Sequence, residues 1–204
     1  MTVPLVGNSR RTQAERRNAT RAQLMDAARA LFVAKGYSDT GTPEIVAAAN
    51  VTRGALYHHF VGKTELFRAV CIREAEAVGR AIDAATLDLH DAGQALRVGA
   101  VAYLDAMNVP GRSRLLLLDV PAVLGHGAAG ELTLGEGHAQ LREGLAQALP
   151  SAGNDEIDAT ADILSAAFDR TALAIAQGGD RTTYVNAMLM ILERAMAHSS
   201  GHPN

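Results

Sequence analysis

A short segment after Asn50 carries side chains that are suited to contact with nucleic acid. Arg53 can form a bidentate pair with guanine, and Tyr57 and His58 can reach phosphates or base edges. Gly54 lies among them in a helical pattern, although glycine costs about 1 kcal/mol relative to alanine inside a helix. Its presence suggests that a phosphate or a base edge approaches the backbone closely. The residue types and their spacing indicate the second helix of a helix-turn-helix.

Two short helices with a tight turn between them must position these side chains. Thr42 is predicted to cap the first helix, with Pro43 at the first helical position, where its missing N–H costs nothing. Asn50 occupies the turn, since asparagine tolerates a left-handed conformation better than most residues. Thr52 is predicted to cap the second helix. The apolar residues that hold the pair together are Ile45, Ala49, Val51, Leu56 and Phe60.

A longer helix is predicted before this pair, from Thr20 to about Lys35. Thr20 and Gln23 have the spacing of a capping box, apolar residues follow at helical spacing, and Gly36 ends the pattern. Residues 1–19 lack apolar periodicity and are rich in arginine, so they are predicted to form a flexible basic arm. Such an arm is either a solvated tail or a source of phosphate or minor-groove contacts, and the sequence leaves both open.

Many positions in this region follow the pattern of one family. They are Ala28 through Tyr37, Thr40, Ile45, Ala49, Val51, Thr52, Gly54, Ala55, Leu56, Tyr57, His59, Phe60, Lys63 and Leu66. On these residues, the segment from about Thr20 to Ala69 resembles the DNA-binding domain of the TetR (tetracycline-repressor) family of transcriptional regulators, without a gap. Asn50 stands where the family usually has glycine, Gly41 where serine or threonine is common, and Thr42 where an aliphatic residue is usual.

The resemblance implies an all-α fold. It consists of an N-terminal three-helix helix-turn-helix DNA-binding domain and a C-terminal helical domain for ligand binding and dimerisation. In the family, the helix that begins near Lys63 is the lever through which ligand binding changes the spacing of the DNA-binding heads, and the resemblance implies the same here. The predicted domains are a basic arm (1–19), a DNA-binding domain (20–75) and an effector-binding and dimerisation domain (76–204).

The expected DNA contacts form two groups. The residues expected to read bases are Arg53, Gly54, Ala55 and His58. The residues expected to contact phosphates are Thr42, Thr52, Tyr57, His59 and Lys63. Because phosphate contacts position a protein without reading sequence, their loss is expected to weaken all sites together. His59 and Lys63 are also expected to contribute to the salt dependence of binding.

The remainder of the chain is rich in alanine and leucine and predicts further helices. An apolar segment at 114–120 is interrupted by Pro121, and residues 127–130 form the expected loop. The predicted helices cover about 63–85, 92–107, 136–149, 155–177 and 181–198.

Two further candidate sites lie among these helices. A small, largely apolar effector is expected between helices, and the last two helices carry apolar stripes that could pair across a two-fold axis as a four-helix bundle. Ordinary core packing is the alternative for each residue. The candidate pocket residues are Tyr103, Met107, Leu117, Val120, Leu124, Phe168 and Thr171. The candidate dimer residues are Ile157, Ala161, Leu164, Phe168, Tyr184, Met188, Ile191 and Ala195.

Charge is distributed unevenly along the chain. Residues 1–75 contain 11 Lys and Arg against 6 Asp and Glu, a net charge of +5, whereas residues 76–204 contain 8 against 16, a net charge of −8. A basic module favours polyanions through counterion release, and DNA repels an acidic one. The first third of the chain is therefore expected to face the duplex.

Several classes of protein find no support in the sequence. There is neither an 18-residue apolar run nor a signal-peptide pattern, so a cytoplasmic protein without a membrane partner is expected. Cys71 is a single cysteine and is predicted to be a buried filler. No catalytic, cofactor or metal motif is found, and one cluster of candidate ligands has a spacing that fits no defined metal site: His126, Glu131, Glu136 and His138.

We therefore expect a ligand-responsive transcriptional regulator. It would act as a repressor that binds a palindromic double-stranded DNA operator as a homodimer and is released by its effector, with half-sites about 10–10.5 bp or a multiple apart. Two alternatives remain open. One is a constitutive DNA-binding regulator with a filled core, and the other is a small helical metal-binding protein or enzyme that keeps a vestigial helix-turn-helix.

Overall fold

The computed structural model describes residues 12–125, 127 and 136–198. The regular elements within these residues are helices without any strand, which confirms the all-α prediction. They are α1 (Gln13–Lys35), α2 (Thr42–Ala48), α3 (Arg53–His59), α4 (Lys63–Thr86), α5 (Ala92–Met107), α6 (Arg112–Arg114), a π-helical segment (Leu115–Asp119), α7 (Val120–Leu124), α8 (Glu136–Ala148), α9 (Asn154–Ala176) and α10 (Arg181–His198).

Contacts between Cα atoms divide the chain into two units, one ending at Phe67 and the other beginning at Arg68. The division falls inside α4, which is one continuous helix. In the first unit α1, α2 and α3 pack on one another; in the second, α5 contacts α8, α9 and α10, and α9 also contacts α8 and α10. The sequence places the boundary between the DNA-binding domain and the effector-binding domain at residues 75 and 76, and this boundary stays a prediction.

The first helix begins at Gln13, so the predicted start at Thr20 was wrong. Thr12 and Glu15 form the capping box instead. The Glu15 amide donates to Thr12 Oγ1 at 3.2 Å, and the Thr12 amide donates to Glu15 Oε2 at 2.6 Å. Thr20 lies inside the helix, where its hydroxyl donates to the Arg16 carbonyl at 3.0 Å.

Residues 13–19 are therefore helical, and the prediction that they belong to a flexible arm was wrong. Their side chains are exposed as far as residue 18. A helix that is exposed on all sides needs no apolar stripe, so periodicity gives no signal for it. The rest of the predicted arm, residues 1–11, lies outside the described part of the chain.

The turn between α2 and α3 has the predicted conformation at Asn50, whose φ of 53° is left-handed. Thr52 caps α3 as predicted, since its Oγ1 accepts from a backbone amide of that helix at 3.1 Å. The start of α2 differs from the prediction. Gly41 is the N-cap without a side-chain bond, Thr42 is the first helical residue, and Pro43 is the second. Proline is tolerated there because the first four N–H groups of a helix have no intrahelical acceptor.

An aromatic cluster in the first unit joins α1 to the start of α4. The Phe32 and Phe67 rings lie 5.2 Å apart at 82°, and Tyr37 and Phe67 lie 5.0 Å apart at 65°. The loop after α1 is closed by Thr40, which is 1% exposed and donates to the Gly36 carbonyl at 2.8 Å. Around the cluster, the buried aliphatic and aromatic residues include Leu24, Ile45, Ala49, Leu56 and Phe60, which confirms the predicted inward positions.

The helix limits of the second unit agree closely with the sequence pattern. α5 and α10 have the predicted limits, and the ends of α8 and α9 lie within one residue of them. Gly144 of α8 permits a close approach to α5, because a Cβ at this position would lie 2.6 Å from Leu96 Cδ2.

The sequence predicts that Pro121 interrupts the apolar segment at 114–120. In the structure the helical path continues past Pro121, but its hydrogen-bond pattern changes. Proline lacks the N–H of an α-helical bond, and its ring clashes with the carbonyl four residues back. The preceding residues therefore form a π segment, in which the Val120 amide donates to the Leu115 carbonyl five residues back. The path ends where Gly125 takes a φ of 85°.

Candidate functional site

The outward surface of α3 consists of Arg53, Gly54, Tyr57 and His58, which we call the α3 face. All four residues are exposed, as predicted, while Leu56 on the opposite side is fully buried. The Arg53 guanidinium lies over the Tyr57 ring, 5.5 Å from its centroid. A cation, a phenol and an imidazole are thus presented together on one helical surface.

Thr42, at the start of α2, adds to the α3 face. Hydrogen bonding by the side chains of Arg53 and Thr42, together with the charge of Arg53, lowers the pKa of the exposed Tyr57. A phenol whose pKa is lowered is a stronger hydrogen-bond donor. The fold therefore brings two predicted phosphate contacts, Thr42 and Tyr57, next to the predicted base-reading Arg53.

Gly54 has no steric reason to be glycine within the chain. Its φ is not in the left-handed region, and a Cβ would meet nothing nearer than Thr52 Oγ1 at 3.9 Å. Alanine would fit this position and would favour the helix by about 1 kcal/mol. The space above this backbone is compatible with the predicted approach of a phosphate or a base edge, which stays a prediction.

Gly54→Ala is therefore expected to have opposite effects on folding and on DNA binding. The free energy of unfolding should rise by about 0.5–1 kcal/mol without DNA, whereas affinity for DNA selected from a genomic library should fall. Urea unfolding and DNA titration measure the two effects. Gly153→Ala, at an equally open and exposed position just before α9 that does not line the cavity of the second unit, is the control and should leave DNA affinity unchanged. Undiminished DNA affinity of Gly54→Ala would show that nothing approaches this backbone.

The two remaining predicted contacts at the start of α3 are Thr52, which is exposed, and Ala55. Thr52 Oγ1 accepts from the Ala55 amide at 3.1 Å, which leaves the hydroxyl proton free to donate to a phosphate. Ala55 is half-buried, so it offers less surface to a base than Gly54 does. Both roles stay predictions.

His59 is half-buried at the end of α3. Burial, followed by the charges of His58, Arg17 and Arg21, lowers the pKa of His59. A lowered pKa favours the neutral ring, which can still donate an N–H to a phosphate. The expected contribution of His59 to the salt dependence stays a prediction.

Arg17 and Arg21 are functional candidates that the sequence analysis missed. They lie four apart on α1, are exposed, and are near enough to His59 to act on its pKa. The Arg21 guanidinium also lies 5.1 Å from the centroid of the Phe60 ring. Arg17 was missed because residues 1–19 were predicted to be a flexible arm. The spacing of Thr12 and Glu15 is that of a capping box and was a usable signal for the helix.

Lys63 has a structural role besides the predicted phosphate contact. Its Nζ donates to the carbonyls of Tyr37 at 2.9 Å and of Thr40 at 3.0 Å, and lies 4.1 Å from the centroid of the Tyr37 ring. One of its three donors remains for a phosphate. Removing Lys63 would therefore disturb the loop after α1 as well as remove a charge.

A cavity of about 270 Å³ lies between α4, α5, α8 and α9 in the second unit. Tyr103 and Phe168 line it, as predicted, with ring centroids 5.7 Å apart at 69°. Other predicted residues are core positions, since Met107 is 2% and Val120 0% exposed. The predicted pocket residues that do not line this cavity are Met107, Leu117, Val120, Leu124 and Thr171, and a role for them in ligand binding stays a prediction.

Most of the predicted dimer residues are packed inside their own chain and are not available to a partner. The buried ones, for which the prediction was wrong, are Ile157, Ala161, Leu164, Phe168 and Met188. Tyr184 and Ile191 are exposed, and Ala195 is half-buried. The outward sides of α9 and α10 add two exposed apolar residues that were not predicted, Ile163 and Met190.

The described residues contain no group of three His, Cys, Asp or Glu side chains placed to hold a metal ion. His138 Nε2 lies 2.8 Å from Asp162 Oδ1, whereas His126 and Glu131 lie outside the described residues. Cys71 is fully buried, as predicted; burial and the nearby carboxylates raise the pKa of its thiol to about 12. None of the described helices combines the length and apolarity needed to cross a bilayer.

Two family models match the chain. The model for bacterial regulatory proteins of the tetR family covers residues 24–70, and the model for the C-terminal domain of tetracycline-repressor-like proteins covers residues 93–198. A crystal structure of a TetR-family transcriptional regulator from Streptomyces coelicolor superposes with a TM-score of 0.75 and 26% identity, covering 90% of this chain and 97% of that one.

Curated proteins match mainly the first part of the chain. The transcriptional activator FasR of Mycolicibacterium smegmatis is 35% identical over 99 residues, 48% of this chain and 45% of FasR. The probable acrEF/envCD operon repressor of Escherichia coli is 44% identical over 66 residues, 32% of this chain and 30% of that protein. The matched region thus spans less than half the length of either relative.

Proposed function

Because this chain belongs to the TetR family of bacterial regulatory proteins and is a DNA-binding transcriptional regulator, we propose that it binds a palindromic operator through the α3 face. The observation that carries this proposal is Gly54, an open helical glycine beside Arg53 and Tyr57. Arg53 and His58 would read base edges. Thr42, Tyr57 and the α1 arginines would hold phosphates.

Arg53→Ala tests the proposed base contact. If Arg53 forms a bidentate pair with guanine, its loss should cost about 1–3 kcal/mol at that base pair and relax the preference there alone. Binding-site selection followed by sequencing measures the preference position by position. Arg80→Ala removes the same charge from an exposed position in α4 and should leave the preference intact. A uniform loss of affinity with unchanged preference would assign Arg53 to a phosphate instead.

We also propose that the regulator is a homodimer. The supporting observation is the exposed apolar surface of the last two helices, which we call the α9/α10 face: Ile163, Tyr184, Met190 and Ile191. Single exposed apolar residues are ordinary, but four of them on two helices that pack on each other would be covered by a partner copy. Two copies of this face can pack as a four-helix bundle across a two-fold axis, which matches the symmetry of a palindromic site.

We propose, finally, that a small effector in the cavity weakens DNA binding and that the regulator acts as a repressor. α4 supplies Leu66 and Phe67 to the core of the first unit and Ile82 and Thr86 to the cavity wall, so one helix belongs to both. The probable repressor among the relatives supports repression, whereas the relative FasR is an activator, so activation is the alternative. Reporter expression with and without the regulator gene distinguishes the two.

A further inference from the structure

We propose that the cavity of the second unit binds a small organic cation, an amine with an aromatic or aliphatic body. This inference rests on the proposed function, because it names the chemical class of the effector. It follows from the charges, the unsatisfied acceptor and the aromatic wall of one partly open cavity.

Asp169 places a carboxylate in the cavity wall. Its Oδ1 accepts from the Tyr103 hydroxyl at 2.5 Å, and both side chains line the cavity. Burial raises the pKa of Asp169, and the Tyr103 hydrogen bond opposes this rise. A carboxylate in such a place is costly unless a cation or further donors compensate it. An ammonium group on a ligand would supply both.

The other charged groups of the wall have the same sign. Asp83 and Glu143 lie at the exposed side of the cavity, and the residues that line it in the described part of the chain include neither Lys nor Arg. His138 also lines the cavity, and its Nε2 is already bonded to Asp162. A wall with three carboxylates attracts cations and repels carboxylates.

Gln140 provides an independent observation. Its Nε2 donates to Asp83 Oδ1 at 2.5 Å, which fixes the orientation of the amide. Its Oε1 is buried and has no hydrogen-bond partner among the described residues. A buried acceptor left without a donor costs about 1–3 kcal/mol, so a ligand donor would be favoured if the Gln140 amide turned this oxygen, which is closed to solvent here, toward the cavity. An ammonium donates up to three hydrogen bonds and accepts none.

The rest of the wall suits an apolar body. Tyr103 and Phe168 present two nearly perpendicular rings, and Leu96, Gly99 and Ala100 line the α5 side. Aromatic faces also attract cations. The volume of about 270 Å³ is close to the lower end of common ligand pockets, about 300–1,000 Å³, and therefore indicates a small molecule.

Three probes of one shape and different charge test the assignment: phenylbutylamine, phenylbutanol and phenylbutanoate. We expect the amine to bind the full-length protein at least about tenfold more tightly than the alcohol, and the carboxylate to bind weakest. Calorimetry measures the three affinities. This comparison uses the wild-type protein alone, so it does not depend on how any variant folds.

Two isosteric substitutions then locate the effect. Asp169→Asn should lower affinity for the amine by about tenfold and leave affinity for the alcohol unchanged. Asp158→Asn removes the same charge from an exposed ion pair with Arg142 that lies outside the cavity, and should change neither affinity.

The assignment of a cation is overturned if the alcohol or carboxylate binds as tightly as the amine, if none of the probes binds, or if the two variants lose equal affinity for the amine. The proposed regulatory role fails separately. Linkage requires an amine that weakens DNA binding by some factor to bind the DNA-bound protein more weakly by the same factor. Equal affinity of the amine for the free and DNA-bound forms would retain the cation site and overturn its regulatory function.

Discussion

Arg112→Ala is expected to lower the free energy of unfolding by about 3–5 kcal/mol, because it breaks a buried ion pair by removing one partner. Arg112 Nε donates to Glu74 Oε2 at 2.9 Å, and the two side chains are only 11% and 7% exposed. A second guanidinium nitrogen donates to the Ala106 carbonyl at 2.7 Å. The same arginine therefore ties α6 both to α4 and to the end of α5.

Urea unfolding at fixed protein concentration measures this loss. Arg181→Ala is the matched control, because it breaks an ion pair of the same chemistry with Asp105 whose partners are 43% and 52% exposed. The control should cost no more than about 1 kcal/mol. Equal losses in the two variants would contradict the role of burial.

A double variant separates the attraction within the buried pair from the cost of burying it. Glu74→Leu with Arg112→Met removes both charges and keeps apolar volume. It should recover most of the stability lost in Arg112→Ala, since replacing a buried ion pair with apolar residues is often neutral or stabilising. A double variant as unstable as the single one would show that the lost packing of Arg112, rather than the loss of its charge beside Glu74, causes the effect.

The helix ends, the turn before α3 and the α3 face could be predicted from the sequence, because each depends on residues close together in the chain. Gly36 ends the pattern of α1, and Asn50 marks the turn before α3, because each permits backbone angles that most residues avoid. The α3 face could likewise be predicted, since Leu56 and Phe60 identify the inward side of a short helix. These features depend on sequence neighbours alone.

The cavity and the ion pair depend on distant residues and could not be predicted in this way. Glu74 and Arg112 are 38 positions apart. Asp169 is a charged residue next to the apolar stripe of α9, and no helical period shows that it meets Tyr103, 66 positions away. Gly144 was a usable signal of close helix packing, but it does not identify the partner helix.

For the last two helices, helical periodicity identified apolar stripes but could not show which stripe remains exposed. A helix that packs on two sides carries two apolar stripes, and the spacing of each is the same. The stripe containing Leu164 was predicted to pair with a second copy, yet Leu164 is 3% exposed in its own chain while Ile163 is 71% exposed. Only the packing of α9 against its neighbours decides which stripe remains available.

Ile163→Arg is therefore expected to abolish the dimer and to reduce operator affinity with it. An unpaired charge in a desolvated two-fold interface costs several kcal/mol, so the dimer dissociation constant should rise by roughly 100-fold or more. Each two-fold contact is made twice, which adds to the effect. Sedimentation at micromolar concentration measures the association, and titration of a palindromic site measures the loss of DNA affinity.

Exposure makes this substitution a sharper test than a change at Leu164 or Met188. Arginine at either buried position would disrupt the protomer itself, so loss of the dimer would not reveal the interface. Ile163→Arg should keep the helical content of the wild-type chain. Leu87→Arg, at a position 79% exposed beyond α4, is the control and should remain dimeric. If Ile163→Arg remains dimeric as well, or if the wild-type chain sediments as a monomer, the α9/α10 face is not the interface that positions two α3 faces on one operator.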